Sequence, residues 1–168
     1  LKAGNMRSDQ MPKLLEGTQV ASSVCKFIAD ELGIPSGVSV VAGAGDNAAA
    51  ACGVGITKEG QGFVSIGTSG VLLTARDTYT PLANSAVHTF CHAIPKTWYQ
   101  MGVILSATDS LNWLSSVTGK SPKALSEGLG QKINGPSLEK FYPYLSGERT
   151  PLNDAHIRGG FAGLSTNS

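Results

Sequence analysis

Residues 38–71 read VSVVAGAGDNAAAACGVGITKEGQGFVSIGTSGV, and this stretch carries the strongest indications of fold and function. Four of the five residues in 38–42 are apolar and three of them are Val, which predicts a strand buried on both faces. The strand ends at a Gly-lined turn that presents Asp46 and Asn47. Asp46 could serve only to form the turn. Its position after a buried strand favours a functional carboxylate, because α/β folds bind ligands in the loops at strand ends.

A second predicted strand, residues 62–66, leads into the GTSG loop, which consists of Gly67, Thr68, Ser69 and Gly70. In such a loop, successive backbone N–H groups and two hydroxyls can point at phosphate oxygens. Glycine on both sides lets the backbone approach the ligand without a Cβ in the way. An ordinary hairpin turn is the structural alternative. The hydrolase motif G-x-S-x-G does not fit, since Val71 takes the fifth position and a strand follows.

Residues 43–48 also match G-x-G-x-x-A, the dinucleotide-binding fingerprint. That fingerprint needs a long helix next and an acidic residue at the end of the following strand. Here Gly53 and Gly55 limit a helix to a turn or two, and Ser65-Ile66-Gly67 stands where the acid is required. An oxidoreductase is therefore the weaker interpretation, and a carboxylate beside an anion-binding loop indicates chemistry on a phosphorylated ligand.

The composition indicates that part of the surface does not face water. Charged residues make up 15% of the chain, against about 25% in typical soluble domains. We expect a piece of a larger polypeptide, with a homodimer as the alternative. A net charge of +1 without a Lys/Arg cluster argues against nucleic acid, and there is no apolar run of membrane-spanning length. The odd number of cysteines (Cys25, Cys52 and Cys91) favours reduced thiols in a cytoplasmic protein.

Apolar periodicity and turn signals predict the remaining elements. An amphipathic helix is expected over residues 20–32, with Thr18 as N-cap and Gly33 at its end. Two hairpins are expected next, one of residues 62–66 with 71–75 around a four-residue loop and one of residues 87–94 with 97–104. They are followed by a helix capped by Ser106 and ended by Gly119 and by a short helix that starts at Ser121-Pro122. Residues 129–158 are expected to be irregular, with a last strand within 159–164.

His88, Cys91 and His92 superficially suggest a metal site. On a strand, however, His88 and His92 share one face while Cys91 points to the other. A structural role is the favoured interpretation for all three residues, as it is for Trp98 and Trp113. We therefore predict no metal-ligating side chains in this segment.

Five runs occur in one order along nearly the whole chain: VVAGAGDNAAAACGVG, FVSIGTSG, AVHTFCHAIP, YPYLSGERTPLND and RGGFAGLS. Together they resemble the FGGY family of carbohydrate kinases. The resemblance implies an α/β, ribonuclease H-like (actin-like ATPase) fold, of which this chain would form a part. Residues 1–44 would be the C-terminal tail of the first, sugar-binding domain. Residues 45–168 would begin the second, nucleotide-binding domain.

The same resemblance implies the chemistry. Asp46 would be the catalytic base and, with Asn47, would contact the sugar, while Gly67, Thr68, Ser69 and Gly70 would bind the phosphates of ATP in the presence of Mg²⁺. Asn after the aspartate favours a ketopentose, so that the complete enzyme would convert D-xylulose to D-xylulose 5-phosphate. The segment alone would be inactive. The alternatives are a member of the family acting on another ketose or polyol, and a catalytically silent actin-like fragment that binds nucleotide.

Overall fold

The structure is a computed structural model that describes residues 2–132 and 135–166. None of the helices in these ranges is long and apolar enough to span a membrane. Within the same ranges the helices are α1 (Lys26–Leu32), α2 (Asp46–Gly53), α3 (Thr108–Thr118) and α4 (Pro122–Glu127). The strands are β1 (Val20–Ser23), β2 (Ser39–Val41), β3 (Gly62–Ile66), β4 (Gly70–Arg76), β5 (His88–Cys91), β6 (Trp98–Ile104), β7 (Lys140–Tyr142) and β8 (Gly160–Ala162). Short 3-10 turns lie at Lys2–Gly4, Ser8–Gln10 and Ala83–Ser85.

The central element is an antiparallel four-stranded sheet in the order β3-β4-β6-β5. Because side chains alternate between the two faces of a strand, every second residue of β4 and β6 lies on the buried face. Both predicted hairpins are confirmed, although Ile66 pairs with Gly70 and the first loop is one residue shorter than predicted. The buried core that joins this face to α2 consists of Ala48, Ala51, Leu73, Tyr99, Met101 and Val103.

The opposite face of the sheet is apolar and open. Ile66 is 70% exposed and Leu72 is 60% exposed. Together with Val64, Ile104 and Thr150 they line a pocket of about 340 Å³. This exposed apolar face is consistent with the low content of charged side chains in the sequence.

The predicted helix over residues 20–32 is wrong in its first half. Val20–Ser23 is instead strand β1, which pairs in antiparallel fashion with β2. Helix α1 begins only after Cys25, and Thr18 is not its N-cap. The helical end is confirmed, since Gly33 adopts φ +67° and its N–H donates to the carbonyl of Ala29. The apolar spacing suggested one helix because Val20, which lies in β1, happens to be in helical register with the apolar residues of α1. The pairing of residues 20–23 with β2 decides their conformation, and the local helical pattern does not.

Strand β2 is also less covered than predicted. The sequence predicts burial on both faces, but Val40 is 41% and Val41 is 52% exposed. The strand has a single neighbour, β1, in a two-stranded sheet. Burial on both faces needs a further layer packed on each side of the sheet. Among the described residues neither valine is fully covered.

The C-terminal half contains one element that the sequence pattern does not indicate. Strand β7 lies in the stretch predicted to be irregular, and it pairs with β8, the predicted last strand. Phe141 of β7 packs 4.9 Å from Phe161 of β8, measured between ring centroids, and 5.7 Å from Trp113 of α3. This aromatic cluster anchors the short hairpin to the helix and confirms the packing role predicted for Trp113. Helix α4 is capped as predicted, because the hydroxyl of Ser121 accepts from the N–H of Ala124 at 3.2 Å.

His92 gives the protein a predictable response to acid. The side chain is 4% exposed, its Nδ1 accepts from the N–H of Ile94 at 3.1 Å, and its ring lies edge-on to Tyr99. Burial lowers the pKa of His92 below 6.5, and the backbone of Ile56 opposes this shift only in part. His92 therefore binds a proton less readily in the folded state than in the unfolded chain.

We expect the contribution of His92 to stability to be complete above about pH 6.5 and to be lost as the pH falls from there through the lower pKa of the folded state. The thermal midpoint of the full-length protein should fall between about pH 7.5 and about pH 5.5, and it should fall less in His92→Gln, whose amide oxygen can replace Nδ1 as acceptor. Identical pH slopes in the two proteins would contradict this assignment.

Candidate phosphate-binding and catalytic site

Asp46 and Asn47 form the first turn of α2, which begins after Gly45. The structure thus places them on a helix that starts directly at the predicted turn. Asp46 is exposed, and its Oδ1 accepts from the N–H (2.7 Å) and the Nδ2 (3.2 Å) of Asn47. Asn47 therefore orients the carboxylate and leaves Oδ2 without a hydrogen-bond partner among the described residues. The pKa of Tyr99 is raised, mainly by burial and then by the charges of Asp46 and Cys91. The Asp46 carboxylate is therefore close enough to Tyr99 to act on it electrostatically.

Small side chains allow α2 to lie close to the sheet. Ala48 is 2% and Ala51 is 0% exposed. Both pack in the same core as Leu73 of β4. The helix that carries Asp46 and the strand that leaves the GTSG loop therefore pack in one core. Within the described ranges, no hydrogen bond joins Asp46 to the GTSG loop.

The carbonyl groups of the GTSG loop hold the start of α3. The carbonyl of Gly67 accepts from the N–H (3.0 Å) and the hydroxyl (2.8 Å) of Thr108. The carbonyl of Thr68 accepts from the N–H of Ala107 at 2.8 Å and from that of Asp109 at 3.3 Å. The loop backbone thus satisfies N–H groups that a side chain would otherwise cap.

This arrangement corrects the predicted cap of α3. Ser106 is not the N-cap; the structure places Ala107 there, without a capping side chain. The hydroxyl of Ser106 is instead buried without a hydrogen-bond partner among the described residues. Gly119 ends the helix in the left-handed conformation, as predicted.

The same hydrogen bonds fix the direction of the loop amides. In a trans peptide, the C=O of one residue and the N–H of the next point to opposite sides. Since the carbonyls of Gly67 and Thr68 face α3, the N–H groups of Thr68 and Ser69 face away from it. Both residues are exposed, and neither their amides nor their hydroxyls have a partner within the part of the chain that the structure describes. Two amides and two hydroxyls on an exposed loop are suited to bind a phosphate group.

Gly70 is required at the exit of the loop. It pairs with Ile104 of β6, and a Cβ at this position would lie 2.7 Å from the Cγ1 of Ile104. Gly67, in contrast, has open space on its Cβ side, with the carbonyl oxygen of Ser69 nearest at 3.8 Å. A side chain at position 70 would therefore have to displace the side chain of Ile104, whereas one at position 67 would extend into open space.

The described residues contain no group of three or more His, Cys, Asp or Glu side chains that could hold a metal ion. His88 stacks on Phe90 at 5.4 Å and His92 lies against Tyr99 at 6.1 Å, both measured between ring centroids. Cys91, on the neighbouring position, is a free, exposed thiol.

Sequence reasoning missed two residues near the site, of which Thr108 binds the loop directly. Thr108 supplies a backbone and a side-chain donor to Gly67, and the polar capping signal at residues 106–109 did point to this place. Glu148 is 4% exposed and binds backbone amides. In the sequence it is visible only as one polar residue in the run GERTP.

Comparison with known proteins places these features in a family. The chain is 42% identical over 166 residues to the xylulose kinase of Escherichia coli K12, covering 98% of this chain and 34% of that protein. It is 29% identical over 178 residues to the gluconokinase of Bacillus subtilis, which covers 98% of this chain and 34% of that enzyme. The chain thus spans about a third of the length of the relatives that it matches.

A solved structure of similar shape is the crystal structure of a xyloylose kinase from Brucella ovis. It is 50% identical, with a TM-score of 0.96 over 100% of this chain and 35% of that one. The predicted α/β, ribonuclease H-like (actin-like ATPase) fold, present here in part, is confirmed. Residues 62–168 match the profile of the C-terminal domain of the FGGY family of carbohydrate kinases. Since this match covers more than half of the chain, the chain belongs to the FGGY family of carbohydrate kinases.

Proposed function

We propose that the complete protein containing this chain is an ATP-dependent sugar kinase that converts D-xylulose to D-xylulose 5-phosphate. The observation that carries the proposal is the GTSG loop, in which the Thr68 and Ser69 amides face away from α3 and have no partner among the described residues. The 42% identity to a xylulose kinase supports the choice of sugar. Because the chain covers 34% of that relative, the activity belongs to the complete protein, and we expect the segment alone to be inactive.

Asp46 is the proposed general base, and with Asn47 it would contact the sugar. Asn47 holds Oδ1, so that Oδ2 is available to accept the proton of the terminal hydroxyl. A carboxylate is a weak base, but phosphoryl transfer passes through a loose transition state in which the nucleophile need not lose its proton early. A positioned base of this kind typically contributes about 10²–10⁴ in rate.

The GTSG loop would bind the phosphates of ATP. The amides and hydroxyls of Thr68 and Ser69 would donate to phosphate oxygens, and Gly67 and Gly70 would keep the backbone accessible. Mg²⁺, when bound, neutralises charge on the transferred phosphoryl group. Such an ion takes phosphate oxygens and water as most of its ligands, and among the proposed site residues Asp46 offers the carboxylate.

We also infer a domain boundary close to Asp46. Residues 1–44 would close the first, sugar-binding domain, and residues 45–168 would begin the second, nucleotide-binding domain. In support, β1 and β2 form a sheet of their own, whereas α2 packs in the core of the four-stranded sheet. The family match begins at residue 62, within the proposed second domain.

The test is a substrate panel on the full-length protein. D-xylulose, D-gluconate and glycerol are each offered with MgATP, ADP release is followed by a coupled assay, and the product is identified by mass spectrometry and NMR. We expect D-xylulose to give the highest kcat/KM and a product phosphorylated at the terminal hydroxyl. A higher kcat/KM for another sugar would overturn the choice of D-xylulose but leave the kinase class intact.

A second candidate is a kinase of the same family acting on gluconate, which the 29% identity to a gluconokinase favours. The substrate panel separates the two directly. A catalytically silent nucleotide-binding protein would bind ATP in calorimetry and phosphorylate none of the sugars. The retention of both Asp46 and the GTSG loop argues against that outcome.

A further inference from the structure

Thr150, in the segment of residues 147–150 (GERT), binds β6 beyond the end of β5. Strand β5 pairs with β6 only as far as Met101. Further along β6, the N–H of Val103 donates to the hydroxyl of Thr150, and the N–H of Thr150 donates to the carbonyl of Val103, both at 3.1 Å. The Thr150 hydroxyl also donates to the carbonyl of Ala86 at 3.0 Å. Thr150 therefore holds this segment against the part of β6 that leads to α3.

Glu148 is the buried acidic residue of this segment. It is 4% exposed, and its Oε1 accepts from the N–H of Leu105 at 3.2 Å and from that of Arg149 at 2.7 Å. Its backbone is fixed in turn by two hydrogen bonds with Asp154, of 2.8 and 2.9 Å. Burial of a carboxylate is unfavourable unless hydrogen bonds compensate for the lost water. The two backbone donors supply that compensation, and the bond from Leu105 ties the carboxylate to the residue that follows β6.

Glu148 binds the β6–α3 junction, defined here as residues 105–108, and the same junction binds the GTSG loop. Leu105 lies two residues before Ala107 and three before Thr108 in the sequence. The N–H groups of Ala107 and Thr108 bind the carbonyls of Thr68 and Gly67. A shift of the β6–α3 junction would therefore turn these carbonyls, and with them the amides that face the open side of the loop.

We propose that Glu148 is a positioning residue of the GTSG loop: its carboxylate fixes the β6–α3 junction and thereby the direction of the Thr68 and Ser69 amides. The role of these amides in ATP binding rests on the function proposed above. Glu148 itself acts through the loop and is not assigned a contact with either substrate.

The kinetic test compares Glu148→Ala, Glu148→Gln and a control, Glu127→Ala, in the full-length protein. Glu127 has a side chain that is 67% exposed, and Lys123, at 3.8 Å, is its one ion-pair partner among the described residues. We expect Glu148→Ala to lower kcat/KM for ATP by about tenfold and to leave KM for the sugar within about twofold of the wild type. Glu148→Gln keeps an oxygen acceptor and should restore most of the activity, and Glu127→Ala should match the wild type.

Hydrogen exchange on the same proteins provides a second readout that does not depend on turnover. In Glu148→Ala, the amides of residues 105–109 should exchange faster, while those of β7 should exchange as in the wild type. Unchanged exchange at residues 105–109 would overturn the positioning role, and so would a lower melting temperature with unchanged kcat/KM for ATP. If the wild-type protein phosphorylates no sugar, the proposed function fails, and the exchange measurement alone decides whether Glu148 positions the loop.

Discussion

Replacement of Asp46 by Asn in the full-length protein is expected to lower kcat for sugar phosphorylation by about 10²–10⁴. An amide has the size of the carboxylate and keeps an oxygen that accepts from Asn47, but it cannot take the proton of the attacking hydroxyl. Asp46 is exposed, so the fold should be unaffected. Steady-state kinetics with D-xylulose give the loss of turnover, and circular dichroism with a melting curve shows whether the fold is retained.

The matched control for this prediction is Asp30→Asn. Asp30 also lies on a helix, its side chain is 62% exposed, and within the described part of the chain its ion-pair partner is Lys26. The control should turn over at the wild-type rate. If Asp46→Asn lost less than about tenfold in kcat, proton transfer to Asp46 would not be part of the rate-limiting chemistry, and the assignment of Asp46 as base would have to be abandoned.

The variant Thr68→Val is expected to reduce kcat/KM for ATP by about ten- to a hundredfold, the range that loss of one hydrogen bond to a charged group predicts. Val has nearly the shape of Thr, and the hydroxyl that it removes has no partner among the described residues. The bonds from the Thr68 carbonyl to α3 are made by the backbone, so the loop should keep its conformation. KM for ATP and KM for the sugar are measured separately.

For Thr68→Val the control is Thr78→Val, since Thr78 is also exposed and lies in a bend away from the GTSG loop. The control should leave both KM values unchanged. A collapse of sugar affinity in Thr68→Val, with ATP affinity intact, would place the hydroxyl in the sugar site and contradict the phosphate-binding role of the loop.

The elements that could be predicted from the sequence are those in which local signals agree. Strands β3 to β6 flank turns that contain Gly or Pro, and burial alternates along β4 and β6. Helix α4 carries Ser121 followed by Pro122, which fixes its start. The end of α1 was predictable for a similar reason, because Gly33 adopts a positive φ that other residues avoid.

The elements that were mispredicted depend on distant partners. Val20 and Ser23 form a strand only because residues 39–41 pair with them, and helical spacing alone cannot reveal that. Strand β7 is stabilised by Phe161 and Trp113, which lie elsewhere in the chain. In both cases the tertiary contact decides the structure, and the local pattern does not contain it.

For the candidate site, the sequence identifies side chains but not backbone directions. Asp46 and the GTSG loop stand out by residue type and position. That the carbonyls of Gly67 and Thr68 bind α3, and that the amides therefore face outward, follows only from the fold. Glu148 escaped notice because its two bonds go to backbone N–H groups, which have no sequence signature.

The main-chain cap of α3 has a consequence for the evolution of the loop. A helix capped by a side chain ties the identity of that residue to stability, because its loss typically destabilises by about 1 kcal/mol. Here the capping acceptors are carbonyls of residues 67 and 68, which every amino acid provides. The side chains at positions 68 and 69 can therefore change without loss of the cap, so that the identity of these two residues is not tied to the stability of α3.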